Sequence, residues 1–157
     1  MELFDKFIRV LEAFDEENVD YILIGGFAVV LHGLPRLTQD VDVFIRPNSE
    51  NIDKLRKALL KVFKDPSIRE ITLDELHRYP VIRYGTPDGF SIDLIVNLGE
   101  AFSFDDIHYE VREIEGTKLN IATPESLIEM KKNTMRESDQ FDINFLQEKI
   151  RKEENGD

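Results

Sequence analysis

The sequence predicts an α/β (α+β) fold, a mixed twisted β-sheet with helices packed against it. Three observations lead there. The spacing of apolar residues changes along the chain, from helical to alternating and back. Strand-like runs such as Asp40–Ile45 and Phe90–Val96 are set among helical stretches, and a strong turn, Thr86-Pro87-Asp88-Gly89, precedes the second run. A chain of 157 residues, 41% hydrophobic and 33% charged, suits one domain with its own core. We read residues 1–152 as that domain and 153–157 as a frayed acidic tail.

Phe4, Phe7, Ile8, Leu11 and Phe14 recur at helical spacing and predict an amphipathic helix ending near Glu17-Asn18. Val19–Ile24 reads as a short buried strand. Gly25-Gly26 ends it and opens an apolar segment, Phe27–Leu31, closed by Gly33 and Pro35. Asp40–Ile45 alternates and carries β-branched residues, so it is a strand. Pro47-Asn48-Ser49-Glu50 is a turn and cap, and Ile52, Leu55, Leu59, Leu60 and Phe63 carry a helix to about Lys64. Pro66 breaks the exit, and Ile71–Leu76 stays open between strand and short helix. Pro80–Tyr84 and Phe90–Val96 form a β-hairpin, followed by a loop from Asn97 to Phe104. Ile107, Tyr109, Val111 and Glu113 alternate with polar residues, and Gly116 turns the chain into Leu119–Ile121; these are expected as outer strands. Thr123-Pro124-Glu125 starts a helix with a hydroxyl cap, proline at the first position and an acid at the positive end. Ser138 is expected to cap the last helix, which packs through Phe141, Phe145, Leu146 and Ile150.

Composition narrows the chemistry. With no cysteine there is no disulfide, no thiolate zinc site and no cysteine nucleophile. His32, His77 and His108 are isolated and show no zinc spacing. The acidic start, Met1–Asp5, lacks the marks of a signal peptide, and the most apolar stretch, Tyr21–Leu34, is too short to span a bilayer. A cytoplasmic protein without a membrane partner is expected. The formal charge of −12, from 32 acidic and 20 basic residues, repels nucleic-acid backbones at long range but leaves room for a local basic site.

The candidate chemistry lies in three aspartates. Asp40 and Asp42, two apart on one strand, share a face while Val41, Val43 and Ile45 point the other way. Two adjacent carboxylates stay charged cheaply only beside a cation or in bulk water. Mg²⁺ and Mn²⁺ prefer such oxygen ligands; a solvated polar strand face is the alternative. Asp93 interrupts an otherwise hydrophobic strand, opposite Ile92, Leu94 and Val96, where it needs a cation or donors. An ion pair with Arg83 across the hairpin would serve it equally. Gly25-Gly26, at a strand end, permits close backbone approach to a phosphate. It matches neither a P-loop nor a dinucleotide fingerprint. Arg36 and Thr38 are delivered toward the same cleft, Arg36 to hold a phosphate or to neutralise the aspartates. Lys131, Lys132 and Arg136 could add phosphate counter-charge or form a solvated helix face.

The run from Gly25-Gly26 through Gly33, Pro35, Arg36 and Thr38 to Asp40-Val41-Asp42 resembles the nucleotide-binding signature of the DNA-polymerase-β-like nucleotidyltransferase superfamily. It is closest to the branch of AbiEii-type toxins and related small prokaryotic proteins. Asp93 matches the third metal aspartate of that family. Thr123-Pro124-Glu125-Ser126-Leu127-Ile128 with Lys131, Arg136, Asp139 and Asp142 resembles the branch's C-terminal pattern. The resemblance spans roughly residues 19–146. It implies Mg²⁺ or Mn²⁺ on Asp40, Asp42 and Asp93, and a nucleoside triphosphate near Gly25, Gly26, Arg36, Thr38 and Lys131. It implies transfer to an acceptor hydroxyl on RNA, protein or a small molecule, with release of pyrophosphate. Two departures bear on activity. Gly26 stands where many transferases have serine, and the acceptor-holding domain of larger relatives is not seen, so a protein partner or a second copy could hold the acceptor. The alternative is a degenerate nucleotide- or partner-binding domain of a toxin–antitoxin pair.

Overall fold

The computed structural model describes residues 2–97, 102–132 and 137–156. Phe7, Leu11 and Phe14 lie buried along α1 (Leu3–Glu16), which ends where Asn18 takes a left-handed conformation. The chain then enters β1 (Tyr21–Ile24) and passes directly into α2 (Gly25–Leu31). β2 (Asp40–Ile45) has the bounds its alternation predicts. Asn48 caps α3 (Ser49–Phe63), its side chain accepting from the Asn51 N–H at 2.8 Å. Buried Asn51 in turn donates to the carbonyls of Asp20 and Arg46, both at 3.0 Å, and so pins the entries of β1 and α3 together. A 3₁₀ turn, Pro66–Glu70, leads to α4 (Leu73–Arg78), so the open segment resolves as a short helix, with Thr72 as its cap.

β3 (Val81–Gly85) and β4 (Ser91–Ile95) form the antiparallel hairpin. The expected loop from Asn97 ends in a 3₁₀ turn, Phe104–Asp106, and residues 98–101 lie outside the described chain. β5 (Tyr109–Ile114) and β6 (Thr117–Ala122) pair antiparallel. α5 (Pro124–Lys131) is capped by Thr123, which accepts from the Ser126 N–H at 3.2 Å. α6 (Glu137–Glu154) continues two residues into the segment expected to fray. The side chain of Ser138, the expected cap, lies outside the described residues, as do Arg136 and the Asp139 side chain.

The six strands form one sheet in the order β3-β4-β2-β1-β6-β5. β1–β6 and β2–β4 are parallel, and the other neighbours are antiparallel. The expectation of two outer strands holds for β5 and fails for β6, which pairs with β1 on one side and β5 on the other. Leu119, Ile121 and Ala122 are fully buried, and that burial, invisible in the alternation alone, places β6 inside. α1 and α3 cover one face: Phe14 packs edge-on against Tyr21, and Phe63 against Tyr84. Phe7 joins Phe27 and Phe90 in the same aromatic layer. Among the described residues no helix is long and apolar enough to cross a membrane.

Candidate functional site

β2 and β4 run parallel, and their register sets the site. Asp40 lies opposite Ser91, and Asp42 opposite Asp93. Alternation then puts Asp40, Asp42 and Asp93 on one face, away from the fully buried Val41, Val43, Ile92 and Leu94. Asp42 is the most confined. Its Oδ1 is buried without a hydrogen-bond partner. Burial first, then the charge and hydrogen bonding of Asp93 and the charge of Asp40, push its carboxyl up to about 7, against a weaker downward pull from Lys131.

Gly25 lets the backbone pass beside this carboxylate. It sits at φ +72°, and a Cβ there would lie 2.1 Å from Asp42 Oδ2. At Gly26 a Cβ would meet Thr38 Oγ1 at 3.3 Å and Arg36 Cζ at 3.7 Å. Gly26, Arg36 and Thr38 therefore converge, as the sequence suggests, and a serine at position 26 would need Thr38 to shift. The Thr38 hydroxyl donates to the Asp40 carbonyl at 3.2 Å, holding the first turn of chain before β2.

Of the two partners weighed for Asp93, the structure contains Arg83. It stands directly across the hairpin and makes a two-pronged contact, Nε to Oδ1 at 2.9 Å and Nη2 to Oδ2 at 3.2 Å. The same Nη2 is 3.5 Å from Asp40 Oδ2. The guanidinium thus bridges two of the three aspartates, and the hydrogen bonds and charge of Asp93 raise its own pKa.

Arg36 and Lys131 share a different anion. Asp142, on α6, has a fully buried side chain; its Oδ2 lies 2.5 Å from Arg36 Nη1 and 3.1 Å from Lys131 Nζ. Arg36 is therefore engaged by Asp142, whereas its sequence roles were a phosphate or the aspartate trio. Lys131 still reaches Asp42 through its charge. The pattern containing Asp142 was visible in the sequence, but its role was missed. Helical spacing pointed to Phe141 as a packing residue, yet Phe141 is 63% exposed and Asp142 is buried. The available signal was that Asp142 stands four residues before Leu146, on the apolar face of α6 itself. Lys132 instead pairs with Glu129 at 3.3 Å. His32 is structural: it is buried, its Nε2–H donates to the Ala122 carbonyl at 2.9 Å, and burial holds its pKa below the usual histidine value.

Among the described residues no group of three or more His, Asp or Glu side chains is gathered as a ready metal site. The donors nevertheless suit a hard divalent cation in kind. They are anionic oxygens, and one is buried with no partner. Arg83 lies across Asp40 and Asp93, so the trio is bridged by an internal cation.

The fold is shared with several solved structures. A lincosamide antibiotic adenylyltransferase, LnuA, bound to lincomycin, is 16% identical with a TM-score of 0.58, over 91% of this chain and 95% of its own. An antigenic nucleotidyltransferase-like protein from Paracoccidioides brasiliensis is 22% identical with a TM-score of 0.53, over 90% and 75%. JHP933 from Helicobacter pylori is 21% identical with a TM-score of 0.51, over 92% and 64%. No curated protein matches the sequence. At these identities the likeness is one of fold, a mixed sheet packed by helices as in nucleotidyltransferases. The sequence itself carries the relationship further: residues 9–150 match the family described as nucleotidyl transferase AbiEii toxin, type IV toxin–antitoxin system, and the chain belongs to that family.

Proposed function

We propose that the protein transfers a nucleotidyl group from a nucleoside triphosphate to an acceptor hydroxyl, with Mg²⁺ or Mn²⁺ held by Asp40, Asp42 and Asp93. One observation carries this reading: Asp42 and Asp93 are paired in register on neighbouring strands, with a buried Asp42 oxygen left unpartnered. When bound, the cation would acidify the acceptor hydroxyl and offset charge on the triphosphate and the leaving pyrophosphate. The acceptor oxygen bonds to the α-phosphorus, the bond from that phosphorus to the bridging oxygen breaks, and pyrophosphate departs. Asp93 orients the hydroxyl, whose proton passes through this carboxylate to solvent. The missing side chains at Gly25 and Gly26 let the backbone pass close to Asp42, Thr38 and Arg36, and the amides of this turn would meet the phosphates. Arg36 and Lys131, positioned by Asp142, supply positive charge at its margin.

Arg83 favours a second reading. Because it neutralises Asp93 and Asp40 internally, the chain could bind a nucleotide or a partner of a toxin–antitoxin pair without chemistry. Incubation with each α-labelled nucleotide, Mg²⁺ or Mn²⁺ and extract from the native organism separates the two. Transfer of label with pyrophosphate release is expected, and the labelled species identifies the acceptor as RNA, protein or small molecule. Asp42→Asn and Asp93→Asn should each lose at least about 100-fold in rate. Nucleotide binding without transfer would establish the second reading, and full transfer by both variants would place the site elsewhere.

A further inference from the structure

We propose that Arg83 is the internal counter-ion of the carboxylate bay: a divalent cation binds by displacing its guanidinium from Asp93 and Asp40, and the freed guanidinium takes a phosphate of the nucleotide, so that metal and nucleotide bind with positive coupling. The proposal rests on the reading of the three aspartates as metal ligands. The geometry gives Arg83 the right place. Its guanidinium contacts Asp93 at 2.9 and 3.2 Å and Asp40 at 3.5 Å, so it holds the oxygens a cation needs. Its mobility follows from its position. The side chain is 61% exposed, on a strand held by its ladder to β4, so the fork can swing while the backbone stays. A groove of about 540 Å³ runs beside β3, lined by Arg83 itself and by Glu70, Glu75 and Tyr79, which leaves room for that swing.

Charge balance supplies the driving force. With Arg83 in place, its guanidinium holds two of the three carboxylates, and a bare metal ion must compete with it. A metal ion that takes Asp93 and Asp40 removes both present partners of the guanidinium, and a phosphate then competes for it with the Glu70 and Glu75 carboxylates of the groove. A planar two-donor fork then finds in a phosphate the same geometry it had in a carboxylate. Nucleotide thereby removes the competitor, and metal frees the nucleotide's ligand.

The test follows Mn²⁺ by loss of its free-ion EPR signal, with and without α,β-methylene analogues of the four nucleoside triphosphates. Wild type should bind Mn²⁺ weakly alone and more tightly with an analogue. Arg83→Gln should bind Mn²⁺ alone about fivefold more tightly, the effect of removing one exposed ion pair, and should gain less from the analogue. Arg83→Lys, which keeps the charge without the fork, should fall between. Thermal unfolding establishes that each variant is folded, and Arg83→Lys tests the same ranking if the glutamine variant is not. Equal or weaker Mn²⁺ binding by Arg83→Gln, or an undiminished gain from the analogue, overturns the role of Arg83. Asp42→Asn in the Arg83→Gln background should abolish the binding; if it does not, the aspartate reading fails and this inference with it.

Discussion

An unfolded aspartate releases its proton at about pH 4, whereas Asp42 in the folded chain holds its own up to about 7, for burial first and the Asp93 and Asp40 carboxylates second. The folded state therefore binds more protons than the unfolded state across that window, so stability falls as pH rises through it. Below about pH 4 both states are protonated and the contribution is fully present; above about 7 it is lost. Asp42→Asn removes the charge and keeps the shape. Without metal at pH 8 the variant should be about 1–3 kcal/mol more stable than wild type, with the difference in Tm shrinking toward pH 4. The same substitution should remove Mn²⁺ binding, a conflict between stability and function expected where like charges are held together. Melting curves across the window check the first part. A constant difference at every pH would show that Asp42 titrates as in the unfolded chain.

At the scale of elements, the passage from β1 into α2 is the tightest constraint. The chain turns at Gly25 with φ +72° while passing beside Asp42. Gly25→Ala meets both a left-handed backbone and a Cβ 2.1 Å from a carboxylate oxygen. A loss of at least about 2 kcal/mol is expected from the backbone strain and the displaced strand pair. A denaturant midpoint like that of wild type would mean that the turn relaxes without cost. Local chemistry made most elements legible. The period of Asp40–Ile45, the Thr123-Pro124 start and the Thr86–Gly89 turn each act within a few residues. The place of β6 was not legible, because an inner and an outer strand can share one alternation and only pairing with β1 distinguishes them.

Across the whole molecule, Asp142 ties three regions together: the chain before β2 through Arg36, the end of α5 through Lys131, and α6. Its partner Arg36 stands 106 residues away in sequence. Asp142→Ala removes the buried anion that Arg36 and the nearly buried Lys131 share. Breaking a buried pair costs about 3–5 kcal/mol, and the partial exposure of Arg36 brings the expected loss to about 2–4 kcal/mol. That corresponds to a fall in Tm of roughly 5–15 °C. Nucleotide affinity should fall too, since Arg36 and Lys131 lose their common anchor. An unchanged Tm would show that α6 is held by its apolar contacts, Ile143 and Leu146 foremost, without the ion cluster.

The sequence by itself determined most of the elements, the shared face of Asp40 and Asp42, and the glycine pair beside them; the type of the segment at Ile71–Leu76 came from the structure. Each depends on backbone period or on steric freedom at one residue, which neighbours in the chain decide. The tertiary structure decided which ions meet. Asp93 had a metal and Arg83 as candidate partners in the sequence, and the hairpin register brings the guanidinium to it. Arg36 had phosphate or the aspartates as candidate partners in the sequence, and the packing of α6 adds Asp142, which no local pattern names. Phe141 faces outward because α6 docks through Asp142, Ile143 and Leu146, and neighbouring residues of a helix point about 100° apart. Charge partners at such separations are chosen by strand order and helix docking, and no local pattern encodes them.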